Sequence, residues 1–238
     1  MGMSPRLLRP RETFSPRNIS GLQAWVDPSD ASAVTRNGTT ISAIADKSGN
    51  NRTFFNDTAL NQPTAATLNG RVAASIDTSS KWLQSNFSVT YTSQTVVVVA
   101  NADAANPTFC RLYSQANATS ETPAGAFIPL IRNASLQMTS YTTVFSGAVA
   151  FSLSTTTVFS LRHTGSSFTL RANGTAGSPQ SHTLNYGVTR SRYGNGFSGG
   201  DGFRGLLGDC LVWNRSLSDA ELLTVEIWAA SRWGAVLA

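Results

Sequence analysis

The stretch Leu206-Leu207-Gly208-Asp209-Cys210-Leu211-Val212-Trp213-Asn214-Arg215-Ser216-Leu217-Ser218-Asp219-Ala220-Glu221, continued from Leu222 to Gly234, decides the fold. It reads as a buried strand, a turn and one short helix. Ser218 and Glu221 have the spacing of a capping box, in which the hydroxyl accepts from the N3 amide and the carboxylate from the cap amide. Leu217, just before the cap, is placed to staple onto Leu222. Leu223, Ile227 and Ala230 recur at helical spacing and are read as the apolar stripe. Gly234 stands where a left-handed residue ends a helix, with Arg232 favourable in the last turn. No other stretch carries a start, a stripe and a stop together. The spacing therefore predicts one helix closing an otherwise β-rich chain.

Composition points the same way. The chain has 238 residues, enough for one large all-β domain with a substantial core. Charged residues are 13%, against a usual quarter. Ser, Thr, Asn, Gly and Ala take their place, as many short strands joined by polar turns require. The net charge is +5 and is carried by arginine, since Lys47 and Lys81 are the sole lysines. Arginines scattered singly over strand faces do not make a nucleic-acid surface, and none is expected. Cys110 and Cys210 each sit in an apolar run and are read as small buried residues, not as a bridge or metal ligands. Met1 to Arg11 has no apolar segment of a secretory signal, and no run approaches the ~18 residues of a membrane span.

Working outward from the close, strands are read at Gly21–Asp27, Arg71–Asp77, Thr95–Ala100, Phe109–Gln115, Ala126–Arg132, Leu136–Thr143, Ala148–Leu153, Thr157–His163 and Ser167–Ala172. Four valines make Thr95–Ala100 a strand buried on both faces. Asn37-Gly38, Asn69-Gly70 and Asn173-Gly174 are hairpin signals. Pro129 inside a strand implies an edge or a bulge. Strands at this spacing mean a sandwich or jelly roll over residues 19–238. Trp25 and Trp213 are expected to be buried on strands that pair or pack together. Residues 1–18 are read as an extended basic arm, because Pro5, Pro10 and Pro16 forbid a helix there. Arg6, Leu7, Leu8, Arg9, Arg11, Phe14 and Arg17 are its candidate contacts with an acidic partner surface.

Three segments carry a resemblance: Gly21-Leu22-Gln23-Ala24-Trp25-Val26-Asp27-Pro28-Ser29-Asp30, Asp46-Lys47-Ser48-Gly49-Asn50, and Gly208 to Glu221 with its helix ending in Arg232-Trp233-Gly234. Together they resemble the LamG-like, concanavalin A-like jelly rolls. The resemblance implies an all-β jelly-roll sandwich with one short C-terminal helix. That fold hosts lectins, glycanases, adhesion modules and viral structural proteins. Stand-alone versions with this opening and close look like bacteriophage virion proteins and bacterial surface proteins. The first expectation is thus a non-enzymatic virion protein, a capsid decoration (cement) protein or tail component. It would be multi-copy or homo-oligomeric and docked on other virion proteins through the arm. The alternative is a carbohydrate-binding adhesion module with a host glycan as partner.

Glycan-cleaving relatives carry clustered carboxylates on one strand, and a retaining glycosidase needs two about 5 Å apart. Here Asp27, Asp30, Asp46, Asp57, Asp201 and Asp219 fall in turns or caps, so no catalysis is expected. His163 and His182 are read as ordinary polar positions. No cofactor is required. Asp27, Asp30, Asp46 and Asn50 are read first as acceptors in turns that hold strand ends, and second as oxygen ligands for calcium. For a sugar, the exposed-aromatic candidates are Trp82, Tyr141, Tyr186 and Tyr193.

Overall fold

The computed structural model describes residues 14–78, 80–104, 110–117, 128–132, 135–140, 143–184, 186–197 and 202–238. In chain order the strands are β1 (Leu22–Val26), β2 (Val34–Asn37), β3 (Thr40–Ile44), β4 (Phe54–Phe55), β5 (Thr64–Leu68), β6 (Arg71–Ile76), β7 (Leu83–Tyr91), β8 (Gln94–Ala102), β9 (Cys110–Arg111) and β10 (Tyr113–Ala116). They continue as β11 (Ile128–Arg132), β12 (Ser135–Ser140), β13 (Thr143–Ala150), β14 (Thr156–His163), β15 (Ser167–Ala172), β16 (Thr175–Ala176), β17 (Gln180–Ser181), β18 (Tyr186–Tyr193) and β19 (Gly205–Trp213). The helix α1 (Asp219–Trp233) closes the chain.

Hydrogen bonding links the strands in the order β10-β18-β7-β4-β3-β5-β6-β19-β8-β14-β15-β16, with β1 on β19, and a second sheet runs β13-β12-β11-β9. Leu83, Tyr91, Val188 and Tyr193 share one buried cluster with Val96, Val98, Leu161, Leu170, Cys210 and Val212. The long sheet therefore folds over on itself, and its two halves face each other across the core as a β-sandwich.

Side chains alternate along a strand, so the other face of β8, β14 and β19 needs its own cover. Val97, Val99, Val158, Leu211 and Trp213 point that way and are buried with Trp25, Leu222, Val225, Ala229 and Trp233. Helix α1 supplies the cover, and β1, hydrogen-bonded beside β19, adds Trp25 to the same face. Trp25 pairs opposite Leu211 and Leu22 opposite Trp213, so the two ends of the chain join as expected. Gly208 is glycine because a Cβ there would lie 2.8 Å from the Trp233 indole. The capping box is present, and Gly234 ends the helix at φ 69°.

Four expectations change. The buried face of α1 is Leu222, Val225, Glu226, Ala229, Ala230 and Trp233, while Leu223 and Ile227 are about half exposed. The cap sets the helix register, and a paired Glu226 sits where the stripe was thought polar. The first hairpin turns on Gly38-Thr39, with φ +61° at Gly38 and Asn37 still in β2, so the glycine serves as first central residue of a II′-type turn. Strand β13 covers Thr143–Ala150, displacing the strand read at Ala148–Leu153. Ordered packing also begins before residue 19. Ser15–Asn18 form a capped 3-10 turn, and Phe14 meets the Trp228 ring edge-on at 6.1 Å. Pro129 lies in β11 outside the two residues that β9 pairs, as its missing N–H demands.

Candidate functional site

In β18, Ser191 and Tyr193 point inward and are buried, which turns Arg190 and Arg192 outward. The register places Arg190 opposite Asn86 and Arg192 opposite Gln84 of β7. Directly opposed residues share a face, so these four form one outward row. Trp82, just before β7, and Phe197, just after β18, flank it. The Arg192 guanidinium lies 4.0 Å from the Trp82 ring centroid and 4.4 Å from that of Phe197. Arg190 lies over the same Phe197 ring at 4.8 Å. Stacking of this kind holds a flat cation in one orientation.

Hydrogen bonds hold the row in a set order. Arg192 Nε donates to Gln84 Oε1 at 3.0 Å, and its Nη1 donates to the Gly196 carbonyl at 2.7 Å. Gln84 Nε2 then donates to Asn86 Oδ1 at 2.8 Å. Arg190 Nη2 is buried without a hydrogen-bond partner among the described residues. Burial lowers the pKa of Arg190, the mark of a cation that has lost water without gaining a counter-charge. Trp82, Gln84, Arg190, Arg192 and Phe197 are all partly accessible and Asn86 is exposed.

Of the sequence-derived sugar candidates, Trp82 lies in this row. Tyr193 does not: it is fully buried and its hydroxyl donates to the Gly208 carbonyl at 2.5 Å, because its alternation on β18 turns it into the core. Tyr186 begins β18 opposite Tyr91, and Tyr141 lies outside the described residues. Arg190, Arg192, Gln84 and Asn86 were missed. The alternation Arg190-Ser191-Arg192 was a signal for two of them.

The turn acids do other work. Lys47 Nζ sits between Asp27 Oδ2 at 2.9 Å and Asp30 Oδ2 at 2.5 Å. Arg232 Nη2 donates to Asp27 at 2.6 Å and Arg232 Nε to Asp209 at 3.0 Å. The indole N–H groups of Trp25 and Trp233 both donate to Asp209, at 2.8 and 2.5 Å. Burial pushes Asp27 up, but hydrogen bonds from Lys47 and Ser29 and the Arg232 charge bring it below its ordinary value. Burial, followed by the Asp27 charge, pushes Asp209 up to about 6. Both carboxylates are fully buried, so this perturbed pair has no access to a substrate. Asp46 accepts from the amides of Trp25, Ser48 and Arg52, and Asn50 Nδ2 donates to the Leu22 carbonyl at 2.9 Å. The Lys47 ammonium thus lies between Asp27 and Asp30, and Asp46 and Asn50 tie β1 to its neighbouring loop. Among the described residues no cluster of three His, Cys, Asp or Glu is placed to hold a metal.

The two histidines meet. His163 Nε2 lies 2.9 Å from His182 Nδ1, and the Gly165 amide donates to His163 Nδ1 at 2.9 Å. Of the arm candidates, Arg6, Leu7, Leu8, Arg9 and Arg11 lie outside the described residues. Phe14 and Arg17 are held on their own domain, Phe14 by Trp228 and Arg17 by the Lys47 carbonyl. Cys110 and Cys210 are free and buried.

No protein-family model matches the sequence, and no curated protein matches it. Solved structures do. Domain 4 of AbnA, a GH43 extracellular arabinanase from Geobacillus stearothermophilus in complex with arabinotriose, superposes with a TM-score of 0.65 at 12% identity, over 86% of this chain and 98% of that one. The botulinum neurotoxin serotype D ligand-binding domain in complex with N-acetylneuraminic acid gives 0.64 at 13%, over 90% and 54%. Trypanosoma rangeli sialidase in complex with sialic acid gives 0.63 at 12%, over 89% and 33%. The chain thus spans about a third of the sialidase and about half of the toxin domain. At these identities the likeness is one of fold, a β-sandwich.

Proposed function

We propose that this chain is a non-catalytic glycan-binding module whose site is the outward row of β7 and β18. The observation that carries the reading is the row itself: Trp82 and Phe197 flank Gln84, Asn86, Arg190 and Arg192 on an accessible sheet face. Sugars are bound by a few convergent polar groups beside aromatic surface, which offer fixed hydrogen bonds and apolar contact for the ring's C–H face. The neighbours support the reading, since arabinotriose, N-acetylneuraminic acid and sialic acid are bound by proteins that share this fold over all or part of their length. Neither the neighbours nor the geometry favours the virion role that the sequence resemblance put first. The non-catalytic part rests on the carboxylates: the close pair Asp27–Asp209 is sealed under α1, and Asp77 is bound to Lys81 at 2.8 Å.

The test is a glycan array probed with the intact chain, repeated with Trp82→Ala. Binding to at least one glycan, lost at least tenfold in the variant with an unchanged melting temperature, supports the reading. No binding across the array, or binding indifferent to Trp82, overturns it. Release of reducing ends from a bound glycan overturns the non-catalytic part.

A further inference from the structure

The polarity of the row narrows the ligand. Arg192 donates to Gln84, and Gln84 donates to Asn86 through its amide nitrogen. Each link uses the acceptor of the next residue, so the chain of bonds ends on the Asn86 amide nitrogen, which is a donor. Asn86 is exposed and lies directly opposite Arg190. Arg190 adds a guanidinium, donor throughout, with a buried Nη2 that has no hydrogen-bond partner among the described residues. It forms no ion pair among the described residues. Two guanidinium groups sit over one ring, Phe197, and like charges so placed raise each other's energy unless an anion comes between them. A sugar hydroxyl donates as well as accepts and so matches this end of the row poorly. A carboxylate accepts only, and meets the planar guanidinium fork with two parallel bonds.

We infer that the face takes an acidic sugar, with the ligand's carboxylate seated on Arg190 and the Asn86 amide. This rests on the glycan-binding reading above and specifies its ligand class. Arg192, fixed by Gln84, Gly196 and Trp82, supplies the second positive charge and holds Phe197 in place under Arg190.

The test is calorimetric titration of the intact chain with two acidic probes, trigalacturonate and sialyllactose, and two neutral ones, the methyl ester of trigalacturonate and lactose. Inorganic sulfate is the fifth arm. At least one acidic probe is expected to bind tenfold or more tighter than its neutral counterpart, and more weakly as salt rises. Arg190→Gln is expected to remove that preference with no loss of melting temperature, since Arg190 makes no hydrogen bond that the fold needs; Arg190→Lys keeps the charge without the fork and should restore part of it. Neutral probes binding as tightly as acidic ones overturn the inference and leave the glycan reading standing. Sulfate binding as tightly as the acidic sugars overturns it in favour of a plain anion site. An acid preference that survives Arg190→Gln overturns the placement. If none of the saccharides binds, both readings fail.

Discussion

Removing both histidines, by His163→Gln with His182→Gln, should tilt the pH dependence of stability. The Gly165 amide donates to His163 Nδ1, so that nitrogen carries no proton and Nε2–H donates to His182. A second proton would break the Gly165 bond inside a fully buried site. Burial and the neighbouring His182 accordingly lower the His163 pKa from 6.5 to about 4, and burial lowers His182 too. The unfolded chain therefore binds a proton that the folded chain refuses. The stability this contributes is complete above pH 6.5 and is lost as pH falls toward 4. Asp209 has the opposite sign. Its pKa is raised from 3.8 to about 6, so the folded chain keeps a proton that the unfolded chain has released. That stability is present below 3.8 and is lost as pH rises through 6. Between pH 4.5 and 6 each titration is worth about 2 kcal/mol, at roughly 1.4 kcal/mol per pH step. Their signs oppose, so the unaltered protein should have a flatter profile there than either titration alone would give. In the double variant the Asp209 titration is no longer opposed by the histidines, and stability should fall by about 2 kcal/mol more across the same range than in the unaltered protein. Urea unfolding followed by tryptophan fluorescence at half-unit pH steps reads this directly. Parallel profiles for the two proteins would refute the argument.

Three further outcomes follow from packing. Trp213→Ala should cost about 3–5 kcal/mol in urea unfolding, whereas Trp213→Phe should cost far less, because the buried indole N–H has no partner among the described residues. Leu222→Ala should cost about 2–5 kcal/mol and Leu223→Ala about 0.5 kcal/mol or less; equal losses would contradict the helix register. Glu226 is fully buried and bonded by both Nε and Nη2 of Arg171, so Glu226→Gln should cost about 3 kcal/mol or more, and Arg171→Met made together with Glu226→Leu should recover most of it.

The close of the chain was legible because its signals are local. A cap, a staple and a left-handed glycine lie within a few residues of what they govern. The opening motif and the Asp46–Asn50 loop were legible as markers of the fold, but their physical meaning is non-local. Asp27, Lys47, Asp209 and Arg232 are scattered from one end of the sequence to the other and meet in one buried cage between β1, β19 and α1. The misread helix face has the same cause. Glu226 is a charge in the buried stripe, and it is tolerated there because Arg171, 55 residues away, neutralises it. A periodicity count sees the charge and not the partner, so it shifts the stripe to Leu223 and Ile227.

The candidate site was less legible, for a reason that applies to any site on a sheet. Trp82 could be named from its type, but no spacing set it apart from Tyr141, Tyr186 and Tyr193. Arg190 and Arg192 looked like two of many scattered arginines. What makes them a pair is alternation, and what makes the pair a site is register: Gln84, 108 residues earlier, must lie opposite Arg192 for the guanidinium to be fixed. A shift of one residue in β18 would bury both arginines and expose Ser191 and Tyr193 instead. That register is held by Tyr193, whose hydroxyl donates to the Gly208 carbonyl on the facing half of the folded sheet. The tyrosine read from the sequence as a sugar contact thus has a structural task. By locking β18 against β19 through the core, it keeps the two arginines on the surface.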